Sequence, residues 1–268
     1  MSIKPPATEV PSYGLVPAPP VRWRIAKRIA HHLMCTLAAR ATIGCMFRLT
    51  GIPFRGTWIQ TPSPSSPAGP MLLFRTYERA EIDFIQKHLP RDVDVIELGA
   101  SIGATTCQIS RLLAPGRTVL CVEANPTLIP LLKANIARNC PRRDVRIVHA
   151  MLDACVGQGE FRQDVSSLCS SAAESGDAAV TVPTVNLDAI VSAFAQGAFS
   201  IVSDIEGAEH LFLGNETALA NCCCIILEAH PAMTPDGPMT TDQVISLPLR
   251  SGGWRIVDRY GPVVVYRR

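Results

Sequence analysis

The sequence lacks several features that define common protein classes. Aromatic residues make up only 6% of the 268 residues, so aliphatic side chains must fill the core. No stretch reaches the roughly 18 uninterrupted apolar residues of a membrane span, and the first apolar segment starts too late for a signal peptide. With 47% hydrophobic residues, the chain is not mostly disordered either. We therefore expect a folded, cytoplasmic protein with one main α/β domain.

Paired cysteine spacings are also missing, although ten cysteines are present. No two of them have the C-x-x-C spacing of a redox or zinc motif, and Cys222, Cys223 and Cys224 lie consecutively in an apolar run. This pattern favours reduced core thiols over a disulfide scaffold. Zinc would need the paired spacings, and nothing else in the sequence requires a metal ion.

Positive charge is concentrated near the N-terminus. Residues 1–60 contain eight Lys or Arg and one Glu, a net charge of +7, so the remaining residues carry −5 of the total +2. The acidic body argues against nucleic-acid binding. In the arm, basic residues alternate with apolar ones at helical spacing, which predicts a surface that lies on an anionic membrane or packs over the body as a lid. The apolar positions are Val21, Ile25, Ile29, Leu33 and Leu37.

Alternating helix and strand patterns predict an α/β fold. A Pro/Ser-rich stretch ends a helical arm of residues 1–70, and we expect the folded body, residues 71–268, to begin near Met71. Helices separate most of the predicted strands, which favours an open, mostly parallel sheet covered on both faces. The last two strands are too close for a crossover and must form an antiparallel C-terminal pair. The strands are predicted at 93–98, 118–122, 145–148, 199–203, 222–227, 254–257 and 263–266.

The first strand of the body opens into a turn with two glycines. Gly99 permits close approach of a ligand, and the following helix offers free N–H groups to a carboxylate or phosphate. The middle glycine of a dinucleotide fingerprint is missing, and Glu97 would repel a pyrophosphate but attract a cationic amine and a sulfonium. The pattern therefore predicts an S-adenosylmethionine site. Its predicted residues here are Glu97, Gly99, Ala100, Ser101 and Gly103.

Glu123 and Ala124 stand at the end of the next strand, about twenty residues after the glycine turn. An acid at this place can accept both hydroxyls of an adenosine ribose. Considered alone, such an acid is more often a solvated loop residue or a helix cap. The upstream turn favours the ribose contact.

Further acidic residues follow two later strands. Asp204 and Glu206 come after strand 199–203, at the sheet edge where open α/β proteins bind ligands. Two acids in a cleft are unfavourable without a cationic ligand or a proton, although either could instead cap the next helix. Glu228 and His230 leave the sheet at the same edge, and His230 could accept a proton or pack as an ordinary hydrogen-bonding residue. Asp204, Glu228 and His230 are thus catalytic candidates, with Glu206 and His230 also candidates for acceptor binding. Asp204 is also expected to contact the cofactor.

Taken together, these motifs resemble the FkbM-type S-adenosylmethionine-dependent methyltransferases. The resemblance covers roughly residues 74–231 and rests on E-x-G-x-x-x-G at 97–103, E-x-N-P at 123–126, L-D at 187–188 and D-I-E-G-A-E at 204–209. T-Y-E at 76–78 is similar to the family's entry segment. The resemblance implies the class I methyltransferase fold, S-adenosylmethionine as cofactor and often a hydroxyl acceptor on a sugar or natural product. It also implies donor contacts at Glu97, Gly99 and Glu123, with Asp204 and Glu206 near the reaction centre.

Some assignments stay open at this stage. Asp153 could contact the adenine, as a residue at this place does in class I methyltransferases, or it could simply be an acidic residue in a turn. Ser203 lies near a position where the family usually has lysine. A nicotinamide-dependent oxidoreductase and a noncatalytic nucleotide-binding module that docks through its basic arm are alternatives. The partner is expected to be a small-molecule or glycan acceptor. Its pocket is expected in the loops at 166–179 and 231–239, which do not identify it.

Overall fold

A computed structural model of the chain describes residues 36–162, 179–194, 197–251 and 253–268, with residues 25, 28, 29 and 31–33. The first part of the predicted arm, residues 1–24, lies outside the described residues. The same holds for 163–178, which contain nearly all of the loop expected at 166–179.

The described residues form eight α-helices with defined bounds, one 3-10 helix (Pro248–Ser251) and fourteen strands. The helices are α1 (Leu37–Met46), α2 (Ala68–Leu73), α3 (Arg79–His88), α4 (Ala104–Leu112), α5 (Ile129–Asn139), α6 (Leu187–Phe194), α7 (His210–Leu213) and α8 (Thr241–Ser246). The strands up to residue 162 are β1 (Ile52–Phe54), β2 (Thr57–Ile59), β3 (Asp94–Leu98), β4 (Thr118–Glu123), β5 (Asp144–His149), β6 (Met151–Leu152) and β7 (Gly157–Arg162). The later strands are β8 (Ala179–Val185), β9 (Phe199–Ser203), β10 (Cys222–Glu228), β11 (Ala232–Thr234), β12 (Gly237–Met239), β13 (Arg255–Tyr260) and β14 (Val263–Arg267).

A seven-stranded sheet forms the centre of the fold, in the order β13-β14-β10-β9-β3-β4-β5. β3 pairs in parallel with β4 on one side and with β9 on the other. β14 is antiparallel to both of its neighbours, β10 and β13. The predicted mostly parallel sheet with an antiparallel C-terminal pair is confirmed. Because the strand order reverses between β3 and β9, the carboxyl ends of these strands border a crevice.

Side chains of the central strands alternate between two apolar layers. Val95 packs in the layer that contains α3, α4 and α5, whereas its neighbour Ile96 packs in the layer with α6 and α8. The five inner strands are therefore buried on both faces, which explains their continuous apolar sequences. The eight described cysteines are free, and most of them are buried, as the sequence predicted.

The packed core begins upstream of Met71, where the sequence placed the start of the body. Ile52 and Ile59 of the β1–β2 hairpin are buried in the same cluster as α3 and β3. The Asn135 amide on α5 accepts from the Gln60 backbone N–H at 2.8 Å and donates to its carbonyl at 3.0 Å. α2 also begins inside the Pro/Ser-rich stretch, with Ala68 buried. Strands of three residues are too short to give a periodic signal, so the sequence did not reveal this hairpin.

Three of the four apolar arm positions that the structure describes face solvent, and the fourth, Leu33, is half-buried. Ile25, Ile29 and Leu37 are between 43% and 62% exposed. None of the helices formed by described residues is long and apolar enough to cross a membrane. Contact of this arm with a membrane surface stays a prediction.

Two smaller sheets were not predicted. β6, β8 and β7 form a three-stranded sheet, and β11 pairs with β12 in a hairpin within the loop expected at 231–239. β7 contains Gly157 and Gly159, which weaken any strand pattern, and its partner β8 follows only after residues 163–178. Both sheets contribute residues to the cavity described next.

Candidate active site

The carboxyl ends of β3, β4 and β9 border a cavity of about 1020 Å³. Drug-sized ligand pockets span roughly 300–1,000 Å³, so this cavity has room for a nucleoside cofactor and a second molecule. Gly103, Glu228 and His230 do not line it. The predicted site residues that do are Glu97, Gly99, Ala100, Ser101, Glu123, Ala124, Asp153, Asp204 and Glu206.

Gly99 brings the β3 turn into contact with the end of β9. Its φ is +87°, and a Cβ at this position would lie 1.9 Å from the carbonyl oxygen of Asp204. The N–H groups of Gly99 and Ala100 both donate to the Val122 carbonyl, at 2.9 and 3.2 Å. Only glycine fits both the conformation and the space, so the turn forms a cradle between β4 and β9.

Gly103 was predicted to contact the cofactor, but it packs against α5. A Cβ on Gly103 would lie 2.7 Å from Cδ1 of Leu132, and its N–H donates to the Ala100 carbonyl at 2.8 Å. Gly103 therefore permits close packing of α4 against α5. Its position at the start of α4 could be read from the sequence, but the direction it faces could not.

Glu97 is a buried acid at the cavity wall. Thr106 Oγ1 donates to its Oε2 at 2.6 Å, whereas Oε1 is buried and has no hydrogen-bond partner among the described residues. Burial raises the pKa of Glu97 to about 8, although the bonds from Thr106 and Cys121 oppose this shift. An unpartnered buried oxygen facing the cavity fits a cationic group such as an amino-acid ammonium.

Replacing Glu97 by Gln is expected to flatten the pH dependence of stability in the cofactor-free protein. Because its pKa is raised from 4.5 to about 8, the folded chain keeps a proton that the unfolded chain releases. The stabilisation is fully present below pH 4.5 and is lost as the pH rises towards 8, by up to about 1.4 kcal/mol per pH unit. Chemical unfolding at several pH values measures this slope. The exposed Glu160→Gln variant should follow the wild type, and equal slopes in all three proteins would refute the assignment.

The Glu123 side chain fixes the cofactor turn by accepting hydrogen bonds from backbone N–H groups. It is 7% exposed, and its two oxygens accept the N–H groups of Ser101 and Asn125, each at 2.7 Å. Burial raises the pKa of Glu123, and these two backbone bonds partly offset the shift. Each carboxylate oxygen keeps a second lone pair, so ribose hydroxyls can still bind.

Asp153 lies at another wall of the cavity, next to buried Leu152 and Phe161. Its N–H donates to the Val185 carbonyl at 2.9 Å, and its Oδ1 accepts the Ala154 N–H at 2.6 Å. The site thus offers a carboxylate beside apolar surface, which suits an aromatic base. Phe161 was missed in the sequence because it lies on β7.

The adjacent ends of β9 and β10 bring His230 among carboxylates. Its Nδ1 lies 3.1 Å from Glu209 Oε1 and 3.8 Å from Asp204 Oδ1, and its Nε2 lies 3.4 Å from Glu206 Oε2. Burial lowers the pKa of His230, but the Glu209 hydrogen bond and the carboxylates of Asp204 and Glu206 outweigh it and raise the pKa to about 9. The predicted reaction-centre residues are therefore neighbours.

The helix-capping alternative for Asp204 and Glu206 is wrong. α7 begins at His210, its N-cap is Glu209, and no side chain makes a capping hydrogen bond there. Glu209 is fully buried. Its carboxylate accepts hydrogen bonds from the Gly207 N–H, at 3.1 Å, and from the His230 ring. Sequence reasoning gave Glu209 no role, although it is the last acid of the 204–209 motif.

Glu78 and Glu81, at the start of α3, are further acids that sequence reasoning missed. Burial and then the carboxylates of Glu228 and Glu206 raise the pKa of Glu78 to about 7. Burial also raises the pKa values of Glu81, Asp204 and Glu228. Glu78 and Glu206 both adopt left-handed backbone conformations, φ +40° and +52°. Such strain costs about 1–3 kcal/mol and is concentrated at functional sites. For Glu78, its place in the T-Y-E segment was the only sequence signal.

Comparison with known proteins assigns the chain to a family. A model of the methyltransferase FkbM domain matches residues 97–253, more than half of the chain. The chain belongs to the FkbM methyltransferase family. This FkbM protein is an S-adenosylmethionine-dependent methyltransferase with the class I fold, and the nicotinamide oxidoreductase alternative is excluded. No curated protein matches the sequence.

Solved structures similar to this FkbM methyltransferase include the N-terminal domain of EvdMO1 with SAH bound. It is 15% identical, with coverage of 92% of this chain and 96% of that chain and a TM-score of 0.46. Fibrillarin from Aeropyrum pernix with natively bound S-adenosyl-L-methionine is 16% identical, with 67% and 69% coverage and a TM-score of 0.41. Precorrin-6y C5,15-methyltransferase from Geobacter metallireducens is 12% identical, with 72% and 89% coverage and a TM-score of 0.41.

Proposed function

We propose that this FkbM methyltransferase methylates a hydroxyl oxygen on a sugar or natural-product-like acceptor. The observation that carries the proposal is the group of proton-accepting side chains beside the cofactor turn. Asp204 and Glu206 line the cavity, and the His230 ring lies next to both of their carboxylates. Carboxylates accept hydrogen bonds from hydroxyl groups, so an acid-lined cavity suits an acceptor rich in hydroxyls.

The cofactor is held by the first half of the site in this proposal. The Glu97 oxygen that has no hydrogen-bond partner would receive the ammonium of the methionine part of the cofactor. The N-terminus of α4 would bind the carboxylate of that methionine part. Glu123 would receive the ribose hydroxyls and Asp153 the adenine, and both residues line the cavity. When bound, S-adenosylmethionine supplies an electrophilic methyl carbon, which leaves its sulfur as the acceptor oxygen bonds to it.

The second half of the site positions the acceptor and removes its proton. Asp204 lies at the junction, because its backbone contacts Gly99 and its side chain reaches towards His230. The hydroxyl proton passes to a basic group at this end. Of the three candidates, Asp204 lines the cavity, whereas Glu228 and His230 do not and would act through Asp204. Met233 and Met239 of the β11–β12 hairpin line the cavity and add apolar contact area.

Replacing Glu123 by Ala is expected to weaken S-adenosylmethionine binding at least about tenfold. The change removes charge-assisted hydrogen bonds to the ribose and the brace on the Ser101 N–H, each worth about 1.5–3 kcal/mol. Isothermal titration of S-adenosylmethionine measures the affinity, and titration of NAD serves as the ligand control. The exposed Glu216→Ala variant should bind like the wild type. Unchanged affinity in a folded Glu123→Ala protein would refute the ribose assignment.

The acceptor class is tested with a methyl-deuterated donor and a metabolite extract. Mass spectrometry should find the label as a methyl ether on a hydroxylated product, formed only when wild-type enzyme is present. Label on nitrogen, or on a molecule without sugar-like hydroxyls, would refute the proposed acceptor and leave the methyltransferase assignment intact.

A further inference from the structure

The reaction end of the cavity contains many more acidic groups than basic ones. Three carboxylates lie within 3.8 Å of the His230 ring. A second group of three carboxylates places one oxygen of each residue within 4.8 Å of the others, and it shares Asp204 with the first. If these acidic side chains were all ionised, one imidazolium and a cofactor of net charge +1 would not neutralise their charge. The acids at this end are Glu78, Glu81, Asp204, Glu206, Glu209 and Glu228.

Asp204, Glu206 and His230 already have the separation of metal ligands. Each offers one ligand atom, and these atoms all lie within 4.8 Å of one another. Two oxygen or nitrogen ligands of the same divalent ion lie about 3 to 4.4 Å apart, because each bond is about 2.0–2.2 Å long. Small side-chain movements would therefore bring all three atoms onto one ion.

The orientation of His230 supports the same conclusion. The Glu209 carboxylate can only accept, so the 3.1 Å contact places a proton on Nδ1 of His230. A divalent ion would then replace the proton on Nε2, on the side where Glu206 Oε2 lies, 3.4 Å away. A buried carboxylate that fixes the other ring nitrogen is the usual partner of a metal-bound histidine.

Glu81 is a further buried acid near this end of the cavity, and a bound cation would stabilise its ionised form. It is 3% exposed and lines the cavity. Within the described part of the chain, it makes no hydrogen bond or ion pair, and the charges that act on it are other carboxylates. A buried carboxylate without a partner is unfavourable unless a cation compensates it.

We propose that Asp204, Glu206 and His230 bind a divalent cation of the Mg²⁺ or Mn²⁺ class. Oxygen ligands with one imidazole and no thiolate favour these hard ions. Glu78 and Glu228 each place an oxygen within 4.8 Å of one of Asp204, so they can bind the ion or its water molecules. Only the role of the ion rests on the proposed function. That role is to orient the acceptor hydroxyl and to lower the pKa of this hydroxyl.

The sequence contains no metal-ligand spacing for this site. Two ligands lie two residues apart after β9, and the third follows β10, more than twenty residues later. The parallel pairing of β9 with β10 places them side by side.

The test is a titration of the purified full-length chain with Mn²⁺ after treatment with EDTA. Free Mn²⁺, measured by electron paramagnetic resonance, should reveal one site of micromolar affinity that Mg²⁺ competes for. Glu206→Gln, which keeps the side-chain shape, should weaken binding at least about tenfold. Glu216→Gln, the same change at an exposed position, should leave it unchanged. His230→Ala is a second variant for the case that Glu206→Gln does not fold.

Two results would overturn the site. One is wild-type binding that is only millimolar, and the other is equal affinity in the wild type, Glu206→Gln and His230→Ala. S-adenosylmethionine is titrated in the same samples. Normal Mn²⁺ binding without cofactor binding would refute the donor assignment and retain the metal site. Cofactor binding without Mn²⁺ binding would refute the metal site and retain the donor assignment.

Discussion

The Asp204→Asn enzyme is expected to lose about a hundredfold or more of its methyl-transfer rate while it remains folded. Asn keeps the shape of the side chain but removes its charge and its ability to accept a proton. General-base catalysis contributes typically 10²–10⁴-fold to rates. Transfer of deuterated methyl to components of a metabolite extract, measured over time, gives the rate.

The same substitution should hardly affect stability. Asp204 Oδ1 is buried and makes no hydrogen bond with any described residue, so the fold loses no bond there. Burial and the carboxylate of Glu78 raise the pKa of Asp204, which shows that its charge is unfavourable in the folded chain. The melting temperature should stay within a few degrees of the wild type. Asp92→Asn, at an exposed position before β3, is the matched control. Retained activity with a collapse of stability would mean that Asp204 is structural.

Replacing Gly99 by Ala is expected to abolish most cofactor binding, with an affinity loss of about a hundredfold or more. The added Cβ would lie 1.9 Å from the Asp204 carbonyl oxygen, so either the turn or the end of β9 must move. A displacement of about 1 Å in a site can cost 10²-fold. The unfolding free energy should also fall by about 2–5 kcal/mol, through left-handed strain and overpacking.

Gly116→Ala separates these two causes. Gly116 also has a positive φ, +82°, but nothing lies within 4 Å of the position its Cβ would take. This variant should lose only about 1–2 kcal/mol of stability and bind S-adenosylmethionine normally. Isothermal titration and denaturant unfolding of both variants give the comparison. If Gly99→Ala behaves like Gly116→Ala, the close approach of the turn to β9 has no functional importance.

The common position of the proposed cofactor residues at one edge of the sheet could be predicted because they lie in two short segments. The turn at 97–101 and the acid at 123 each follow a strongly apolar strand, and parallel strands end at a common edge. Their periodicity and glycine pattern are local properties of the sequence. Gly103 shows the limit of this reasoning, since its backbone conformation was predictable but its neighbour Leu132 comes from α5.

The order of elements, the buried strands and the family motifs were thus determined by the sequence alone, because they follow from local periodicity and spacing. Tertiary structure decided which acids meet. Glu78 and Glu81 approach Asp204 only because α3 packs across the sheet edge, and Glu209 orients His230 only because β9 and β10 are neighbours. The β1–β2 hairpin joined the core for the same reason, since its short strands are stabilised by contacts with distant residues. Contacts between segments far apart in the chain leave no local pattern, so the folded structure was needed to reveal them.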